Sequence, residues 1–96
     1  MLHGFPEFWY SWRHQLAEFA ADYDAVAVDL RGYGKSDRPK GIAAYAVREL
    51  VEDIRAIVAA LGHRSCILAG HDWGGAVVWH VAARHPEIVE KLIVMN

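Results

Sequence analysis

Two apolar runs, Cys66-Ile67-Leu68-Ala69 and Ala76-Val77-Val78-Trp79, are joined by Gly70-His71-Asp72-Trp73-Gly74-Gly75. A short apolar run, a glycine-flanked polar residue and a second apolar run read as strand, tight turn and helix. Gly70 and Gly74 stand two residues either side of Asp72. That spacing lets one side chain project from the apex of a sharp strand-to-helix turn, at the cost of a strained apical backbone. Asp72 is therefore expected between the end of a strand and the start of a helix.

An aspartate at such an apex has two readings. Asp is a favoured N-cap, and a helix starts directly after it. A carboxylate is also ionised near neutral pH and so can attack without a general base. That suits displacement at a saturated carbon, such as opening an epoxide or expelling a halide. It does not suit the serine chemistry of esterases.

The rest of the chain supplies the partners of this turn. Apolar runs at Ala25 to Asp29, Ser65 to Gly70 and Lys91 to Met95 read as buried strands. Val47, Leu50, Val51, Ile54, Ile57, Val58 and Leu61 fall on one helical face, with Glu49, Glu52, Asp53 and Arg55 on the solvent side and Gly62 as a stop. An earlier helix is expected from Trp9 to Phe19, with Trp12, Leu16 and Phe19 on one face. A third, from Gly75 to Arg84, is apolar nearly all round and is expected to be deeply buried, with Trp79 in the core. Pro86 follows it. Strands alternating with helices imply an α/β fold with parallel strands and crossover helices. Ligands of such sheets bind at the carboxyl ends of the strands. The segments His3 to Glu7, Asp29 to Asp37 and Gly70 to Gly75 all leave such ends.

Three segments together carry a resemblance. They are His3-Gly4-Phe5-Pro6-Glu7-Phe8-Trp9-Tyr10-Ser11-Trp12-Arg13-His14-Gln15, then Asp29-Leu30-Arg31-Gly32-Tyr33-Gly34-Lys35-Ser36-Asp37, then the turn at Asp72. In this order and spacing they resemble the epoxide hydrolases of the α/β-hydrolase superfamily, over essentially the whole chain. The run after His-Gly-Phe-Pro-Glu tips the likeness to these enzymes rather than to haloalkane or haloacid dehalogenases, which share an aspartate at the turn. A non-catalytic truncated isoform is the other alternative.

The resemblance implies that Asp72 is the nucleophile and that the substrate is a small lipophilic epoxide, opened through an alkyl-enzyme ester. It implies that the backbone N–H groups of Phe5 and Trp73 form an oxyanion hole, that Trp73 lines the substrate cavity, and that Phe5-Pro6 is cis. His3 is expected to be structural, with its ring bonded to nearby backbone, and His71 to brace the turn. No cofactor and no metal are implied. In the family the acid, the base histidine and the cap with its activating tyrosines lie further along the chain. Residues 1–96 are accordingly expected to be a partial core domain, from the end of the third strand through the sixth, with an incomplete sheet and no cap. The third strand runs between the fourth and fifth, so Met1-Leu2 would be its last residues and a slot would interrupt the sheet. This chain alone is expected to be inactive.

Composition narrows the alternatives. At 96 residues the chain is at most one small domain, yet 54% of it is hydrophobic, which suits a piece of a larger core. A net charge of −2 without a basic block argues against nucleic-acid binding. No apolar run approaches the ~18 residues of a membrane span. The single Cys66 excludes an internal disulfide and is read as a buried small hydrophobe. The compartment stays open: cytoplasmic, or membrane-anchored through an upstream segment. Gly34-Lys35-Ser36 mimics the tail of a phosphate loop, but Asp29 stands where that motif needs its first glycine. His80 and His85 lack metal-ligand spacing. Asp29, Arg31 and Asp37 are expected to form a local ion-pair brace.

Overall fold

A computed structural model describes residues 1–96. Its regular elements are helices α1 (Arg13–Phe19), α2 (Val47–Ala60) and α3 (Trp73–Arg84) with strands β1 (Cys66–His71) and β2 (Val89–Met95). Strands β1 and β2 pair in parallel, with Leu68 opposite Leu92, Gly70 opposite Val94 and His71 opposite Met95. Helix α3 connects them and packs on both. This is a partial α/β fold, a parallel pair of strands with a crossover helix. No helix is long and apolar enough to cross a membrane.

Helix α2 follows its sequence pattern. Leu50, Val51, Ile54 and Val58 are buried, and Gly62 at φ 83° ends the helix as a residue without a Cβ can. These four join Leu2, Leu30, Leu68, Val77, Val78, Val81 and Ile88 in one core. The solvent-side reading of Asp53 is corrected, because it is half-buried and holds the Arg31 guanidinium with two bonds of 2.6 Å. Arg31 also donates to the carbonyl of Ala44. The expected brace of Asp29, Arg31 and Asp37 is thereby replaced. Asp29 instead accepts the backbone N–H groups of Trp9 and Lys35, because its carboxylate sits under the turn rather than beside Arg31. Asp53→Asn strands a half-buried guanidinium, so we expect a loss of about 1–3 kcal/mol in urea unfolding. A change below a few tenths of that would refute the brace.

Three further expectations are corrected. The segment Ala25 to Asp29 is not a regular strand and makes only an isolated parallel bridge, Val28 to Leu2. A strand needs a continuous partner, and only Met1 and Leu2 lie beside it. The Met1 amine donates to Val26, and Val28 donates to Met1. The helix from Trp9 opens as a 3₁₀ turn, Trp9–Trp12, and only Trp12 is buried, while Phe19 is exposed against Tyr23. Trp79 is 59% exposed rather than in the core. Helix α3 is covered on one side only, and Trp79 lies on the other.

Leu2 bridges Val28 on one side and Gly70 on the other. Beyond Met1 a trench of about 430 Å³ continues between Ala25–Val28 and β1, floored by Ile54, Ile57 and Val58. Cys66 is half-buried on its wall rather than fully enclosed, and burial pushes its thiol pKa up.

Candidate active site

Strand β1 ends at His71 and α3 begins at Trp73, so Asp72 alone makes the turn. Its φ of 56° and ψ of −121° lie where a residue with a Cβ is strained, by about 1–3 kcal/mol. Three kinds of contact hold it there. Its backbone N–H donates to the carbonyl of Met95 at 3.2 Å and to Asn96 Oδ1 at 3.0 Å. Its own carbonyl accepts the N–H of Ala76, the first bond of α3. Its side chain caps that helix.

The glycines are required by close approach. A Cβ on Gly74 would lie 2.5 Å from the His3 carbonyl oxygen and nearer still to that of Leu2. A Cβ on Gly70 would meet the Gly74 carbonyl. Gly4 has the Asp72 side chain against it, and a Cβ there would stand 2.5 Å from the Asp72 Cβ. Helix α3 can therefore reach down to the Leu2–Gly4 backbone, which carries Asp72 to the turn at Phe5.

Phe5, Trp73 and Asp72 do meet. Oδ2 of Asp72 accepts the N–H of Phe5 at 3.1 Å and the N–H of Trp73 at 2.6 Å, while no protein donor reaches Oδ1. The Phe5 bond, and after it the Trp73 bond, hold the Asp72 carboxyl below the usual carboxylate range. The positive end of α3 acts in the same sense. Asp72 is exposed, and Phe5 and Trp73 are 71% and 40% exposed beside it. The Phe5-Pro6 peptide is cis, as the resemblance implies.

Two residues not assigned a site role from sequence belong to this cluster. Glu7 accepts the N–H of Gly4 on Oε2 at 2.8 Å, and the same oxygen lies 3.6 Å from His71 Nδ1. Its place three residues after Gly4 is the only sequence signal for this. Asn96 has none, because it reaches Asp72 from the far end of β2. His3 is fully buried and bonded to backbone, as expected. His85 is bonded to Glu52 and Glu87, which raises its pKa, the Glu52 bond contributing most.

Residues 1–96 match the family described as alpha/beta hydrolase fold. The chain is 55% identical over its full length to Epoxide hydrolase 4 of Mus musculus, covering 27% of that protein. It is 53% identical over 99% of its length to Epoxide hydrolase 1 of Caenorhabditis elegans, covering 24%. Among solved structures, it superimposes on the epoxide hydrolase of Bacillus megaterium in complex with an inhibitor, with a TM-score of 0.97 and 52% identity, over 99% of this chain and 34% of that one. It thus spans about a quarter of these curated relatives. A family match from first residue to last, on a fold that sets a lone strained aspartate between β1 and α3, means that this chain belongs to the α/β hydrolase fold family.

Proposed function

We propose that this chain is the nucleophile-bearing part of an epoxide hydrolase core, running from the end of the family's third strand through its sixth, and that Asp72 is the nucleophile. The observation that carries the reading is the division of labour within one carboxylate. Oδ2 is engaged by both backbone donors and Oδ1 is left free. Oδ1 attacks an epoxide carbon, the carbon–oxygen bond of the ring breaks, and the alkoxide takes a proton from a donor. The product is an alkyl ester of Asp72 whose carbonyl oxygen is Oδ2. Water then adds to the ester carbon, and negative charge grows on Oδ2 between the N–H groups of Phe5 and Trp73. Collapse of that intermediate releases the diol and restores the carboxylate. Each such donor is worth about 10²–10³ in rate. The likeness to epoxide hydrolases favours an epoxide over a halide as substrate.

The family's base histidine and acid, which activate that water, and its cap tyrosines, which protonate the alkoxide, are needed for turnover. His71 neighbours Asp72 but lies 3.6 Å from Glu7, which serves the turn. This chain alone therefore forms the ester slowly, with water the only proton source for the alkoxide, and does not hydrolyse it. Incubation of the 96-residue chain with an aryl epoxide, read by mass spectrometry, is expected to give at most one adduct per chain, on Asp72, with no diol release beyond that. An adduct elsewhere overturns the nucleophile assignment, and multiple turnovers overturn the dependence on downstream groups.

A further inference from the structure

We propose that His3 is a positioning residue: its buried ring locks the Gly4–Phe5 peptide group so that the Phe5 N–H faces the Asp72 carboxylate. The catalytic meaning of that aim rests on the nucleophile reading above, whereas the aim itself does not.

The Leu30 N–H donates to His3 Nε2 at 3.1 Å, so that nitrogen carries no proton. The proton of the neutral ring is then on Nδ1, which lies 2.9 Å from the Gly4 carbonyl oxygen and donates to it. That carbonyl and the Phe5 N–H belong to one planar peptide group and point in opposite directions. Holding the oxygen therefore directs the N–H, here onto Asp72 Oδ2 at 3.1 Å.

The Gly4 carbonyl has a second donor, the Glu7 N–H at 2.9 Å across the turn. One donor leaves the amide plane free to swing about that bond, and two donors fix it. Rotation of this group would turn a carbonyl dipole toward the Asp72 carboxylate in place of a donor.

The ring itself is fixed. It is fully buried, anchored at Nε2 by Leu30, and met edge-on by Tyr33 at 4.9 Å between centroids and 69° between planes. His3 thus carries the position of the Leu30–Tyr33 turn to the donor at Phe5. The reading of His3 as structural is extended by this: the ring holds backbone, and the backbone it holds is one of the two donors at the site.

Side-chain shape allows the two ring nitrogens to be tested separately. The amide of Asn can reproduce the Nδ1–H donor, and the amide of Gln can place an acceptor where Nε2 lies. In the 96-residue chain, studied by NMR, His3→Gln is expected to raise the Asp72 carboxyl titration toward the ordinary carboxylate range. It also moves the Phe5 amide proton upfield and leaves that of Trp73 in place. His3→Asn is expected to leave Asp72 and Phe5 close to the unmodified chain. Both variants lose one buried hydrogen bond and the ring, so both unfold at lower urea. Tyr33→Leu, which removes the ring-edge contact but neither bond, is expected to lower stability without moving Asp72.

Equal shifts in the Asn and Gln variants, no shift with Gln, or a Gln-sized shift in Tyr33→Leu would overturn the proposal. The unmodified chain supplies a check that needs no variant. Its His3 ¹⁵N resonances are expected to report a proton on Nδ1, and a proton on Nε2 overturns the proposal outright. An epoxide adduct on a residue other than Asp72, with these shifts as expected, would remove the nucleophile reading and leave the positioning intact.

Discussion

Asp72→Asn is expected to take up no aryl epoxide above the background of urea-unfolded chain, a fall of about 10³-fold or more. The substitution is close to isosteric. The Asn side-chain oxygen can still accept the N–H groups of Phe5 and Trp73, so the turn and the cap of α3 persist. The second oxygen, the free one, is replaced by an amide nitrogen with no available electron pair. Labelling lost with the fold retained, as judged by circular dichroism, separates nucleophile from N-cap. Retained labelling would leave Asp72 as an N-cap only.

The same carboxylate sets a pH dependence. Its folded pKa is depressed, chiefly by the Phe5 N–H and next by that of Trp73. Labelling of the unmodified chain should therefore hold below the ordinary carboxylate pKa and decline as pH falls through the lowered value. Linkage has the same sign. The two bonds stabilise the fold above the unfolded pKa, and that contribution is lost as pH falls through the folded one.

Gly74→Ala is expected to be strongly destabilising. Its Cβ would press on the carbonyl oxygens of Leu2 and His3, which are backbone atoms and cannot rotate away. Either α3 retreats or the Leu2–His3 segment moves, and both separate Asp72 from the Phe5 donor. Overpacking of this kind costs about 1–3 kcal/mol or more, a large share of the stability open to so small a chain. Gly75→Ala is the matched control. Its Cβ would meet the Asn96 side chain at 3.1 Å and a Val94 methyl at 3.2 Å, which can shift. Urea midpoints should fall much further for Gly74→Ala. Equal losses would show that the close approach of α3 to the Leu2–His3 backbone does not constrain the site.

Local pattern decided a good deal. The apolar spacing of Leu50, Val51, Ile54 and Val58 specifies the buried face of α2 because helical period and hydrophobic period coincide. Gly70-x-Asp72-x-Gly74 specifies the turn because only glycines admit the approach of two backbones on either side of a strained residue. Phe5 and Trp73 as partners of Asp72 came from the resemblance that the three motif segments carry, not from their spacing.

What failed were readings that turn on which distant neighbour covers or pairs with a residue. Ala25 to Asp29 has the composition of a strand, but strand geometry is a property of a pair, and only Met1 and Leu2 lie alongside it. Trp79 sits in a helix that is apolar all round, and hydrophobicity states a preference for burial without saying which side is covered. Arg31 turned to Asp53 rather than to the acids nearest in sequence, because packing of α2 brought that carboxylate within 2.6 Å.

The sequence by itself determined the strand-to-helix turn and the aspartate at its apex, since these follow from short-range sterics and residue chemistry, and its three motif segments carried the resemblance to the family. Only the tertiary structure decided which carboxylate oxygen is engaged, that Asn96 holds the Asp72 N–H, and that His3 holds the peptide bearing the Phe5 donor. Those facts depend on where one backbone lies against another, and no local pattern encodes such a distance.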